Sequence, residues 1–463
     1  MTVNKTFNEI PKLINTKLTS IDELNEILAK ALELNGLLLE DCAKILNVED
    51  EELWKVIFQS SLKIKEMIFG SRITLFAPLY TTNVCRNDCL YCAFRRSNTD
   101  LKRKTLADDE IRNEVKILEE MGHKRICLVY GDNPGFKINN IVKHIRACFD
   151  TKVYGNNLYE VWINLEPPTE EEFTELAKSD LRVNYRVFQE TYHLPTYNAI
   201  HKNGPKANYD WRVEVFDRAI KGGITNIGLG VLFGLYDYRF EVLSLIAHSY
   251  YLLARYGVKI NSVSIPRLRP SLNTPFSNSP PFPIEEEELR KIIAILRLSI
   301  PWAEIIITTR ETSQFRIESC KIGVSEMSAG SSTSPGGYSQ GEDKVWRKKT
   351  EQFELLDHAT LKDVIISLCS NGYIPSFWSL CSSNGYETTL LKNIPPQNHK
   401  DFYLSGALLT FNQYLLNDGF PSYNYAQIKA IIDNSLKEVM SDNLRRKLKI
   451  KLANNRYNAS TNN

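Results

Sequence analysis

The chain has 463 residues, of which 43% are hydrophobic and 24% charged. This composition is ordinary for a globular protein, and the length suits one large domain with appendages or two to three domains. A net charge of +2 provides no overall basic field, so neither nucleic acid nor an anionic membrane surface is the expected partner. No apolar run approaches the ~20 residues that span a bilayer, and residues 1–10 lack the apolar core of a signal peptide. Of nine cysteines, six are scattered (Cys42, Cys127, Cys148, Cys320, Cys369 and Cys381), which argues against a secreted disulfide framework. A soluble, cytoplasmic protein is expected.

Residues 1–70 read as helices. Leu24, Ile27, Leu28 and Leu32 recur at helical spacing after the start signal Ser20-Ile21-Asp22-Glu23, and Leu53, Val56, Ile57 and Leu62 follow a second start at 47–50. From about 71, short β-rich runs alternate with longer amphipathic stretches. The runs are 72–79, 125–130, 160–165, 183–189, 226–232, 260–265, 304–309 and 323–328, each apolar enough to be buried on both faces. Helical patterns lie between them at 109–121, 209–222, 239–256 and 284–298. Eight β–α units over ~250 residues predict an α/β fold, a (βα)8 TIM-type barrel at 71–342. A doubly wound sheet is the other α/β arrangement, but no G-x-G-x-x-G follows the first strand. Pro- and Ser-rich 269–283 predicts an ordered surface loop, and Gly- and Ser-rich 331–342 predicts a flexible lid or the exit from the barrel. Residues 343–453 form a mostly helical C-terminal region, with helices at 361–368, 405–416 and 425–448, and 454–463 read as a polar, disordered tail.

A barrel keeps its chemistry at the carboxyl ends of its strands, and polar residues recur there. Cys85, Cys89 and Cys92 follow the first strand in the spacing C-x3-C-x2-C. Three thiolates are one short of a closed zinc site or a fully ligated iron–sulfur cluster. The spacing admits three ordinary loop cysteines, a zinc site completed by a distant His, or a cubane with one open iron. Gly131-Asp132 follows the second strand, Glu190 the fourth, Gly230 the fifth, Arg310-Glu311 the seventh and Ser328 the eighth. The acidic runs 108–110 and 285–288 read as helix N-terminal charges. The basic run Arg95, Arg96, Lys102, Arg103 and Lys104 reads as a solvated loop, and His193 as a residue that could line the pocket.

The cysteine loop, together with 188–193, 204–212, 230–240, 265–270, 309–311 and 328–338, resembles the radical S-adenosylmethionine (radical SAM) aromatic amino-acid lyases. That group includes the tyrosine lyase that matures iron–iron hydrogenase, the 2-iminoacetate synthase of thiamin biosynthesis and a tryptophan lyase. The resemblance extends over roughly 20–450 and implies one 4Fe–4S cluster on Cys85, Cys89 and Cys92. S-adenosylmethionine (SAM) is then the second cofactor, cleaved to a 5′-deoxyadenosyl radical by an electron from a flavodoxin- or ferredoxin-type donor. By the same resemblance Gly131-Asp132 meets the methionine ammonium, with Asp where the family has Glu. Glu190 and Arg212 take the ribose and the methionine carboxylate, and the Gly230-Val231 backbone takes the adenine. Arg310 and Ser328 hold an amino-acid carboxylate, and Tyr80 the substrate amine. L-Tyrosine would yield 2-iminoacetate (dehydroglycine) and p-cresol. Tryptophan or another amino acid or small amine is the alternative substrate, and a non-catalytic SAM- or cluster-binding scaffold is the alternative of another class.

The hydrogenase maturase implies a second, C-terminal cluster that makes CO and cyanide. Here the flanking words 371–377 and 407–410 remain, yet Trp378 stands at the first ligand position, Cys381 survives, and 401–405 holds no Cys. One thiolate cannot hold a cubane, so a lyase without CO or cyanide formation is expected, releasing its fragment or passing it to a biosynthetic or maturation partner.

Overall fold

The computed structural model describes residues 3–153, 157–179, 183–341, 343–378, 398–418 and 425–460. The eight strand-like runs become β1 (Arg72–Thr82), β2 (Arg125–Tyr130), β3 (Glu160–Asn164), β4 (Val183–Arg186), β5 (Ile227–Gly230), β6 (Ser262–Ser264), β7 (Glu304–Ile307) and β8 (Glu326–Ser328). All neighbours are parallel, and β1 pairs with both β2 and β8, so the sheet closes into a (βα)8 barrel. The long β1 makes this possible: Ala77–Tyr80 pair with β2, while Thr74–Phe76 pair with β8.

Closure puts side chains from non-neighbouring strands face to face, and here the inner layer is ionic. Arg125 on β2 reaches Glu160 on β3 at 2.5 Å and Glu326 on β8 at 3.4 Å. Arg186 on β4 reaches the other oxygen of Glu326 at 3.2 Å and Ser262 on β6 at 3.2 Å. Arg72 on β1 pairs with Glu304 on β7. All six charged side chains are buried. β4 and β8 lie on opposite sides of the closed sheet, so the Arg186–Glu326 contact crosses the barrel interior.

The N-terminal helices, Ile21–Ala31, Leu39–Leu46 and Glu51–Phe69, pack outside the barrel, with Ser20 and Asp50 capping the first and third. Several expectations change. The stretch 209–222 is two helices, Tyr209–Val213 and Val215–Lys221. Arg218 donates at 2.5 Å to the Trp211 carbonyl that would accept the Val215 amide in a continuous helix. The stretch 425–448 is also divided, into Tyr425–Glu438 and Asp442–Ser460, because the Asp401 carboxylate accepts the Met440 and Ser441 amides at 2.7 and 3.0 Å. This last helix takes in most of the stretch expected to be a disordered tail. A ninth strand, β9 (Ile374–Ser376), pairs with Arg72–Thr74 of β1, and three residues are too few to show a period.

Residues 331–342 were expected to form a flexible lid or an exit. They lead out of the barrel after β8, but not as a free lid: Ser332–Gly337 are buried, and the Glu114 carboxylate accepts the Tyr338 and Ser339 amides at 3.1 and 2.7 Å. No helix among the described residues is long and apolar enough to cross a membrane.

Lys65, on the helix leading into β1, is fully buried with no hydrogen-bond partner for Nζ among the described residues, and Nζ lies 4.6 Å from the Tyr373 ring centroid. Burial pulls its pKa down to about 8.

Replacing Glu326 by Ala strands Arg186 and leaves Arg125 with Glu160 alone, and urea unfolding should show a loss of about 3–5 kcal/mol. Lys65→Met should stabilise the protein at pH 7. The unfolded state keeps the Lys65 proton up to about 10.5 while the folded state releases it near 8, so wild-type stability rises with pH across that window. The advantage of the variant, followed by denaturant titration from pH 7 to 10.5, should shrink by up to about 3 kcal/mol.

Candidate active site

β1 ends at Thr82, and the chain then crosses the mouth of the barrel as an irregular loop whose carbonyls lack strand partners. Arg103 supplies them: its guanidinium donates to the carbonyls of Asn83 (2.6 Å), Phe94 (2.8 Å), Arg95 (2.6 Å) and Asn98 (3.1 Å). The solvated reading of the basic run therefore applies to the exposed Arg96 and Lys102, and not to Arg103. Cys85, Cys89 and Cys92 all line one cavity at the carboxyl ends of the strands, with about 1260 Å3 of open space including its mouth. Burial pushes the Cys85 thiol up to about 12, aided by the Cys92 charge, and raises Cys89 and Cys92 as well.

The donor set fits the cluster that the resemblance implies. The three thiols come from one loop and face one cavity, and Cys92 accepts an N–H from Gln352 at 3.6 Å, a contact suited to a metal-bound thiolate. Among the described residues, no group of three or more His, Cys, Asp and Glu stands together as a metal site. Iron would have to replace the thiol protons and draw the three sulfurs in.

On one side of the cavity Gly131 passes so close to the cysteine loop that a Cβ would sit 2.5 Å from the Val84 carbonyl oxygen. Asp132 is bound to that loop, accepting from Arg86 (2.7 Å) and Asn87 (3.0 Å). Glu190 takes a left-handed φ of 71°, costly for a residue with a Cβ. The turn is held by the Leu232 amide on the Glu190 carbonyl (3.0 Å) and by Glu241, which accepts from Thr191 and from the Tyr192 amide. The Glu190 carboxylate receives Lys206 at 2.5 Å and lies 3.6 Å from Arg212, which also pairs with Glu166 at 3.0 Å. Burial opposes the Lys206 charge, but Glu190, Cys89 and Glu166 outweigh it and its pKa stands above the ordinary value. Lys206 and Glu166 were not singled out in the sequence, and a charged residue on a turn carries no signal of its partner. Gly230 and Val231 are not among the residues lining the cavity; their neighbours Phe188 and Leu232 are. His193 stacks on Tyr236, 3.7 Å between centroids, also outside that lining.

Opposite lie Arg310, Ser328 and Tyr80. Arg267 and Arg269 share the Glu311 carboxylate. Arg310, by contrast, has no carboxylate within ion-pair distance among the described residues: it lies 3.3 Å from the Phe353 ring centroid and gives one N–H to the Arg267 carbonyl at 3.2 Å. Burial pulls its pKa down to about 10, so it remains a cation at neutral pH. The Ser328 hydroxyl accepts the Thr309 amide at 3.1 Å, and no acceptor takes its proton among the described residues. Tyr80 donates to Gln352 Oε1 at 2.8 Å. Gln352 and Phe353 come from the region expected to stand apart from the barrel; only their return across the mouth reveals them. Trp378 lies against Gly406 of the helix His399–Asp418, while Cys381 falls outside the described residues.

Known proteins match this arrangement. The radical SAM superfamily model matches residues 79–244, and that of the Biotin and Thiamin Synthesis associated domain matches 264–374. The chain is similar to the 2-iminoacetate synthase of Escherichia coli (strain K12), 31% identical over 75% of this chain and 88% of that protein. The structure is similar to that of HydG, a maturase of the FeFe-hydrogenase, at 35% identity and a TM-score of 0.88, covering 98% of this chain and 96% of that one. HydG from Carboxydothermus hydrogenoformans is also similar, at 33% identity and a TM-score of 0.80, with 97% of each chain covered. The chain belongs to the radical SAM superfamily, within the family of 2-iminoacetate synthase and HydG.

Proposed function

We propose that the protein is a radical SAM lyase that breaks the Cα–Cβ bond of an amino acid, L-tyrosine before tryptophan or a small amine, giving 2-iminoacetate and p-cresol. The observation that carries this reading is Arg310, a half-buried cation with no carboxylate partner among the described residues, beside the Ser328 hydroxyl in the cavity that also holds the cysteine triad. Family membership implies SAM and a 4Fe–4S cluster, which when bound to Cys85, Cys89 and Cys92 supply the 5′-deoxyadenosyl radical.

The chain's own residues bind, orient and exclude water. The Arg310 fork and the Ser328 hydroxyl would anchor the substrate carboxylate. Tyr80 donates to Gln352 and so offers only its oxygen lone pairs to the substrate amine. Phe76, Pro78, Val129 and Phe353 form an apolar wall that suits an aromatic side chain and keeps water from the reacting atoms. By the family resemblance Glu190 and Arg212, with Lys206 and Glu166 as their partners, would take the ribose and the methionine carboxylate, and Gly131-Asp132 the ammonium; their common lining of the cavity supports this. Trp378 and the absence of Cys from 401–405 support a single cluster and no CO or cyanide formation. The fragment would then leave or pass to a partner, and a flavodoxin- or ferredoxin-type protein would supply the electron.

Anaerobic incubation of the reconstituted protein with SAM, dithionite and L-tyrosine should yield 5′-deoxyadenosine, p-cresol and the two-carbon fragment by mass spectrometry. No 5′-deoxyadenosine with any amino acid would instead favour a cluster-binding scaffold. Arg310→Gln should lower kcat/KM for the amino acid by about a hundredfold, mostly through KM, since a charge-assisted pair is lost. Iron analysis should find about four irons per chain, and about eight would overturn the single-cluster assignment.

A further inference from the structure

Residues 349–357 follow the last barrel strand in sequence yet lie across the barrel mouth. The Lys349 and Thr350 carbonyls accept from Lys102 N (2.7 Å) and Asn83 Nδ2 (3.2 Å) of the cysteine loop. Gln352 N donates to Thr333 O (3.1 Å), Glu354 N to Pro270 O (2.9 Å) and Leu356 N to Thr309 O (3.1 Å). Arg316 pairs with Asp357. Four loops thus clamp this segment, so the Gln352 side chain is held in place and does not roam over the surface.

That side chain makes two hydrogen bonds among the described residues. Its Nε2 lies 3.6 Å from Cys92 Sγ, and its Oε1 receives the Tyr80 hydroxyl at 2.8 Å. A metal-bound thiolate can only accept a hydrogen bond, so the amide must present N–H to the sulfur and its carbonyl to Tyr80. The carbonyl can only accept, so Tyr80 must donate. The phenol oxygen is then left with lone pairs alone for any group in the cavity. One amide thereby sets both the hydrogen bonding of a cluster ligand and the polarity of a hydroxyl in the substrate cavity.

We propose that Gln352 is a positioning residue that makes the cluster easier to reduce, through its N–H on Cys92, and aims the Tyr80 lone pairs at the substrate amine. Reduction adds negative charge to the cluster and its thiolates, so a donor on Cys92 stabilises the reduced form more than the oxidised one. The Tyr80 half rests on the lyase reading above, while the Cys92 half needs only the cluster.

The test uses the reconstituted holoprotein and Gln352→Met, which keeps the length of the side chain and removes both donor and acceptor. An EPR-monitored redox titration without substrate should give a more negative midpoint for the variant, and a tenfold change in the reduction equilibrium would read as about 59 mV. An unchanged midpoint overturns the Cys92 half whatever the substrate. If the variant does not take up its cluster, wild-type protein labelled with 15N in glutamine side chains serves instead. Pulsed EPR of the reduced cluster should detect a coupled 15N, and its absence overturns the same half. With the amino acid that wild type cleaves, Gln352→Met should form several-fold more 5′-deoxyadenosine per product than wild type. An unchanged ratio overturns the Tyr80 half. If wild type cleaves no amino acid, the lyase reading fails and the Tyr80 half with it, while the midpoint still decides the Cys92 half.

Discussion

The barrel is built around the buried ion pairs of Arg125, Arg186 and Arg72 with Glu160, Glu326 and Glu304. Each charge is costly to bury alone, and each is tolerable only when its partner on another strand is in register. The layer therefore disfavours every arrangement in which β4 and β8 do not face each other. It also forms the floor of the site. Arg186 lines the cavity, and its guanidinium lies 4.2 Å from the Trp162 ring centroid, so one side chain ends the ionic layer and begins the substrate space.

Above that floor the walls are supplied by loops, and loops must find partners for their own backbone groups. Arg103 does this for the cysteine loop and Glu241 for the turn at Glu190, while Asn83 ties residues 349–357 down over the mouth. None of these three residues needs to touch a ligand. Each holds a loop that lines the cavity, and the open cavity is compatible with a stable fold because these side chains satisfy the loops around it.

The chemistry divides along the same lines. Thiols raised by burial are poor nucleophiles and serve better as ligands once iron displaces their protons. Of the arginines near the mouth, Arg267 and Arg269 are neutralised by Glu311 and Arg212 by Glu166, Arg103 is satisfied by loop carbonyls, and Arg310 has only the Phe353 ring and one carbonyl as partners among the described residues.

The period of the apolar runs was enough to identify eight strands and the barrel, because a strand buried on both faces must be continuously apolar over its length. The spacing of Cys85, Cys89 and Cys92 was legible for a related reason: ligands on one short loop are close in space whatever the fold does. The strand-end positions of Arg310 and Ser328 followed from the barrel itself. Contacts between distant segments were not legible. Nothing local marks Gln352 as a partner of Cys92, Lys206 as a partner of Glu190, or Arg186 as a partner of Glu326 across the barrel. The breaks at Glu214 and at 439–441 were hidden too, since they come from the side chains of Arg218 and Asp401. The sequence by itself determined the elements, the barrel and the thiol triad, which depend on periodicity and short-range spacing. Only the tertiary structure decided which charges are paired, that Arg310 lacks a carboxylate among the described residues and what covers the mouth, because those depend on residues brought together from far apart in the chain.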